Sequence, residues 1–161
     1  MNNKTFFGFF IYQYFYCSVA NNAWSVKIQN SKTGVISRGT HDAVGYDLYA
    51  AEDNLIGAGC TSAIRTSVKL EMPSSVYAMV LGRSGIALSH SVLTHPGLID
   101  PDYRGEIKVI MHNISPQSFR VTNGNRIAQL VFMPRVQPRF SMHDNLSPSK
   151  RGSGGFGSTG K

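Results

Sequence analysis

The sequence predicts an all-β protein, a sandwich or barrel of short strands, and three observations carry that expectation. Charged residues are only 16% of the chain, glycines number 16, and Val, Ile, Phe and Tyr outweigh the long helix formers. Short runs with period-two alternation follow one another closely, divided by turn signals such as Pro73-Ser74-Ser75 and Asn123-Gly124. No convincing helical run interrupts them. A length of 161 residues suits one domain with a real core.

Residues 1–22 stand apart. After Lys4 comes an apolar, aromatic run, Phe6-Phe7-Gly8-Phe9-Phe10-Ile11-Tyr12-Gln13-Tyr14-Phe15-Tyr16, leading to Ser18-Val19-Ala20. That outline is shared by signal peptides, but Gln13 and the tyrosines depart from it, and the run is too short to span a bilayer as a helix. The segment is read as a non-conforming N-terminal extension, with a targeting segment as the alternative. The β domain is expected over 23–140 and a glycine-rich arm over 141–161.

Within the domain, residues 24–29 alternate and predict the first strand. In Val44-Gly45-Tyr46-Asp47-Leu48-Tyr49-Ala50, Gly45 permits a bulge or a close approach, Leu48 and Ala50 point inward, and Asp47 and Tyr49 outward. Residues 63–70 and 76–81 read as strands. Val92-Leu93-Thr94 and the alternating Ile107, Val109 and Met111 predict a hairpin whose turn is the segment 97–106. Asn123-Gly124 carries a type I′ signal, and 126–132 forms the last strand. From 141 onward periodicity is lost, and the many glycines point to a flexible linker or to a tail that orders over a polyanion.

The formal charge of +7 points to an anionic partner: nucleic acid, a membrane surface or a small polyanion. The sixteen Lys and Arg are spread along the chain with no basic block, which gives nucleic acid no support. Cys17 and Cys60 are too few for a disulfide framework or a metal cluster, and the five histidines lack zinc-like spacing.

Three stretches carry chemistry. Gly97-Leu98-Ile99-Asp100-Pro101-Asp102-Tyr103-Arg104-Gly105-Glu106 puts carboxylates, a phenol and a guanidinium into one reversal, more than a turn requires. Gly82-Arg83-Ser84-Gly85 follows a strand and offers backbone amides, a hydroxyl and a forked cation to a phosphate, although a plain strand-to-helix turn fits as well. It lacks the full Gly-x-Ser-x-Gly of a hydrolase elbow. Arg151-Gly152-Ser153-Gly154-Gly155-Phe156-Gly157-Ser158-Thr159-Gly160 is the third, and at its end Gly155-x-x-x-x-Gly160-Lys161 fits the beginning of a P-loop but lacks the strand that would precede one.

Taken together with Gly45-Tyr46-Asp47-Leu48-Tyr49-Ala50 and Arg126-Ile127-Ala128-Gln129-Leu130-Val131, these stretches resemble, in order, the five motifs of the homotrimeric dUTPases. The resemblance runs from about residue 24 to the C terminus. It implies a jelly-roll-like β fold with one short helix, hydrolysis of dUTP to dUMP and pyrophosphate with Mg2+, and three sites at subunit interfaces closed by the glycine-rich arm. Such an activity limits uracil in DNA and supplies dUMP for thymidylate synthesis.

By the same resemblance Asp100 is the base that activates water, and Asp47 holds magnesium through its water shell. Arg83, Ser84, Gly85, Gln129, Arg151, Ser158 and Thr159 bind the phosphates, and Gly157 beside them binds the substrate. Gly97 belongs to the backbone that reads uracil, Tyr103 packs on deoxyribose, and Phe156 stacks on the base, a contact of about 1–3 kcal/mol. Asn125 stands where the family commonly carries an acid. Neither stable nucleic-acid binding nor a membrane span is expected. Two rivals share the fold: a dCTP deaminase, disfavoured by the complete arm and the Asp-x-x-Tyr-Arg-Gly turn, and an interaction protein that no longer relies on catalysis.

Overall fold

The computed structural model describes residues 24–30 and 36–156. The extension over 1–22 and the arm residues Gly157, Ser158 and Thr159 lie outside them. The alternation in the sequence becomes eleven strands and one helix among the described residues. In chain order these are β1 (Lys27–Asn30), β2 (Tyr46–Tyr49), β3 (Asn54–Ile56), β4 (Thr61–Arg65), β5 (Val68–Glu71) and β6 (Val76–Leu81). Then come α1 (Ser84–His90), β7 (Val92–Thr94), β8 (Gly97–Ile99), β9 (Lys108–Asn113), β10 (Phe119–Val121) and β11 (Arg126–Pro134).

Every pairing is antiparallel. A four-stranded sheet runs β2-β11-β6-β8, a three-stranded one runs β4-β9-β7, and β1-β5 and β3-β10 form two-stranded ribbons. Between the sheets lies a core of alternate residues: Val76, Ala78 and Val80 from β6, Val109 and Met111 from β9, Ile127, Ala128 and Leu130 from β11. Each large side chain buried there contributes about 1.5–3 kcal/mol over its exposed state. Asn113, fully buried, donates through Nδ2 to the Ile56, Gly57 and Gln117 carbonyls and accepts at Oδ1 from Ser115, so its polar atoms are all paired.

Several local expectations are corrected. The first strand starts at Lys27, three residues late, where pairing with Glu71 becomes available. The run 63–70 is two strands, β4 and β5, broken at Ser67, whose φ of 59° leaves the extended region. β7 does pair with β9, but residues 97–99 form their own strand against β6, so the reversal is confined to 100–106. The Asn123-Gly124 turn has positive φ at Gly124 alone, the type II pattern. Its flanking strands pair elsewhere, β10 with β3 and β11 with β2 and β6, so no I′ hairpin twist is imposed.

The 100–106 reversal is tied down by Glu106. Its Oε1 accepts from the Ser67 N–H at 2.8 Å, and Arg65 Nε donates to both oxygens at 3.2 and 3.1 Å. Burial pushes the carboxyl up, but the Ser67 amide and Arg65 outweigh it and hold the pKa below its usual 4.5. A lowered carboxyl pKa adds stability that is complete above the unfolded value and is lost as pH falls through the folded one. Wild-type protein is therefore expected to lose more Tm than Glu106→Gln between pH 5 and pH 3, roughly the span over which such a group titrates. Equal losses in calorimetric melts would show that this carboxylate contributes nothing.

Candidate active site

The main sheet brings the polyanion-binding candidates together by register. Gln129 on β11 lies opposite Asp47 on one side and Leu81 on the other, so Asp47, Gln129 and the Gly82-Arg83-Ser84-Gly85 turn meet at one end of the sheet. Strand alternation alone would send Arg126 and Gln129 to opposite faces. A bulge between Arg126 and Ala128 shifts the register and re-aims Arg126 toward the same place.

Asp47 was expected to face outward. Instead it is buried, 8% exposed, because two guanidiniums close over it: Arg83 Nε at 3.4 Å from Oδ1 and Arg126 Nη1 at 3.2 Å from Oδ2. Arg83 Nη1 also donates to the Arg126 carbonyl at 2.9 Å, and Gln129 Nε2 to the Gly82 carbonyl at 3.1 Å. Gly45 makes room for the glutamine, since a Cβ there would sit 2.3 Å from Gln129 Oε1 and 2.9 Å from Cδ. The resulting pocket, about 460 Å³, is lined by Asp47, Arg83, Ser84, Gly85, Arg126 and Gln129 with Gly39 and 43–45 at its rim. Two fixed positive charges against one negative leave a net cation at its floor.

Arg126 is the residue that sequence reasoning left out of the site. Its signal was present in the Arg126-Ile127-Ala128-Gln129 string, but the bulge that turns it inward was not. Asn125, at the position commonly acidic, accepts from Thr122 N–H through Oδ1 at 3.0 Å and closes the turn before β11. An amide oxygen performs that task as a carboxylate would.

The remaining candidates lie elsewhere in the chain. Gly97 opens β8, which among the described residues is an edge strand of the main sheet paired only with β6. Asp100 follows Ile99, which lies opposite Ala78, three residues from Leu81. By strand geometry Asp100, one residue further on, is therefore about 13 Å along the sheet and three strand spacings, roughly 14 Å, across it from Asp47. Asp100 is exposed, and Tyr103, 44% exposed, folds over Gly105 to donate its phenol to the Glu106 carbonyl at 3.1 Å. Arg151 donates to Gly154 within its own turn, and Phe156 is wholly exposed; neither lines the pocket.

Among the described residues no three His, Cys, Asp or Glu side chains cluster as a metal cage. A single hard carboxylate beside a polyanion pocket is nonetheless the donor set that magnesium uses, since it keeps its waters and takes one or two carboxylates along with substrate phosphates.

Fold and pocket thus define an antiparallel jelly-roll protein with a guanidinium-lined pocket of net positive charge. Residues 31–160 match the family model for dUTPase. The deoxyuridine 5'-triphosphate nucleotidohydrolase of Candida albicans is 41% identical over 138 residues, 84% of this chain and 87% of the relative. That of Clostridium acetobutylicum is 44% identical over 118 residues, 72% and 81% of the two chains. A Staphylococcus bacteriophage 80alpha dUTPase solved with dUpNHpp superposes with a TM-score of 0.80 at 24% identity, covering 88% of this chain and all of that one, a likeness of fold. The chain belongs to the dUTPase family, the enzymes that hydrolyse dUTP to dUMP.

Gly45→Ala is expected to displace Gln129 while leaving the core intact, lowering kcat/KM about tenfold, near 1.4 kcal/mol of transition-state stabilisation. Steady-state kinetics beside a thermal melt check this; an unchanged kcat/KM would remove Gln129 from the site.

Proposed function

We propose that this chain hydrolyses dUTP to dUMP and pyrophosphate in a homotrimer whose three sites each combine residues of more than one copy. The observation that carries the reading is the separation just described. The cationic pocket gathers Asp47, Arg83 and Gln129, while Asp100 and Tyr103 stand on an exposed turn beyond reach of it in the same copy. A second copy presenting its turn to this pocket completes the set. Val136, Phe140, Met142 and Leu146, all exposed in the single chain, further support a partner that covers the segment leading to the arm.

In this reading the outer backbone edge of β8, from Gly97, pairs with uracil, and Tyr103 lies against the deoxyribose where a 2′-hydroxyl would clash. Asp100 accepts a proton from water as its oxygen attacks the α-phosphorus; the bond to the bridging oxygen breaks and pyrophosphate departs. Arg83, with Ser84, Gly85 and Gln129, meets the charge that develops on the phosphates. Asp47 would hold magnesium through its water shell, and the ion's charge would offset that of the leaving group. Arg151, Gly157, Ser158 and Thr159 close over the phosphates and Phe156 over the base. This activity would limit uracil in DNA and supply dUMP.

Pyrophosphate release with magnesium from dUTP, UTP, dTTP and dCTP tests the assignment. Cleavage of dUTP alone is expected; failure to prefer it, or ammonia release from dCTP, would contradict it. Asp100→Asn is expected to lower kcat by about 10²–10⁴ with substrate binding retained, and a near wild-type rate would take the base role from Asp100. Deleting residues 151–161 is expected to remove most of the rate without lowering the melting temperature, whereas full activity would exclude a closing arm.

A further inference from the structure

We propose that Glu106 is a positioning residue for the sugar check, fixing through its carboxylate the turn that carries Tyr103 and so the preference for deoxyribose over ribose. The inference rests on the reading of Tyr103 as the sugar contact.

The turn is braced from within. The Tyr103 N–H donates to the Asp100 carbonyl at 3.2 Å, and Arg104 Nη1 donates to the carbonyls of Pro101 and Tyr103 at 2.7 and 3.0 Å. Those bonds hold its shape and leave its placement open. The placement comes from the C-terminal end, where Glu106 takes the Ser67 amide and the Arg65 guanidinium on its carboxylate. One residue later, Ile107 N–H donates to the Val68 carbonyl at 2.8 Å, and the buried Thr66 hydroxyl donates to the Ile107 carbonyl at 2.6 Å.

Glu106 then reaches back into the turn. Its own carbonyl accepts the Tyr103 phenol, so the residue anchored to the domain also holds the ring. Gly105 leaves the space this needs, because a Cβ there would lie 2.3 Å from the phenol oxygen and 2.5 Å from the ring carbon that bears it. Exposed ion pairs alone position little. Here, however, the carboxylate is largely covered, 19% exposed, and is met by the amide of Ser67, which sits at a φ of 59° that side chains rarely adopt. A strained donor aimed at a covered acceptor specifies one placement of the turn.

The test is kcat and KM for dUTP and for UTP on full-length wild type, Glu106→Ala, Glu106→Gln, Arg65→Ala and Tyr103→Ala, with a thermal melt of each. Glu106→Ala is expected to lower the dUTP-over-UTP ratio of kcat/KM about tenfold, chiefly through a lower KM for UTP as the clash with its 2′-hydroxyl is relieved. Glu106→Gln, which keeps an acceptor for the Ser67 amide, is expected to lose less. A Glu106→Ala protein that melts lower but keeps the wild-type ratio overturns the inference. If that variant does not fold, an unchanged ratio in both Glu106→Gln and Arg65→Ala overturns it. A ratio untouched in Tyr103→Ala fails the sugar reading itself; a ratio lost there but kept in the Glu106 variants fails this inference alone.

Discussion

The cationic pocket of this protein hangs on one row of the main sheet, Asp47-Gln129-Leu81, and on the two arginines that close over its carboxylate. Without Asp47, Arg83 and Arg126 would face one another as like charges over an apolar core. Without the arginines, a largely covered carboxylate would lack the partners that make its burial tolerable. The trio also leaves a surplus positive charge for a polyanion. β11 is suited to holding it: flanked by β2 and β6, it buries Ile127, Ala128 and Leu130 and so fixes Gln129 and Arg126 from beneath.

Much of the fold was legible because one physical signal, alternation, decides both burial and strand identity. β6 was read residue for residue, and the inward Leu48, Ala50, Val109 and Met111 are all buried. What escaped was set by tertiary partners. Nothing local in residues 63–70 marks the kink at Ser67, which answers to Glu106 far along the chain. Asp47 reads as a solvent-facing strand residue until the guanidiniums from two other segments are placed over it. Arg126 could not be assigned to the pocket because the bulge that re-aims it depends on pairing with β2.

The site residues named from sequence divide along the same line. Asp47, Arg83, Ser84, Gly85 and Gln129 converge in one pocket, while Gly97, Asp100 and Tyr103 sit on β8 and the turn after it, and Arg151 and Phe156 stand apart from both. A linear sequence lists both groups without saying that one copy keeps them apart. The single chain exposes both the 100–106 turn and an apolar tail.

The most direct measurement is complementation. Asp100→Asn and Arg83→Ala proteins, each expected to be nearly inactive alone, are unfolded, mixed and refolded together, and dUTP hydrolysis by the mixture is compared with that of each protein refolded by itself. Sites shared between copies predict that the mixture regains activity, because some interfaces pair an intact turn with an intact pocket. A mixture that forms mixed oligomers yet stays as inactive as its components would show that each copy carries a complete site, contradicting the account.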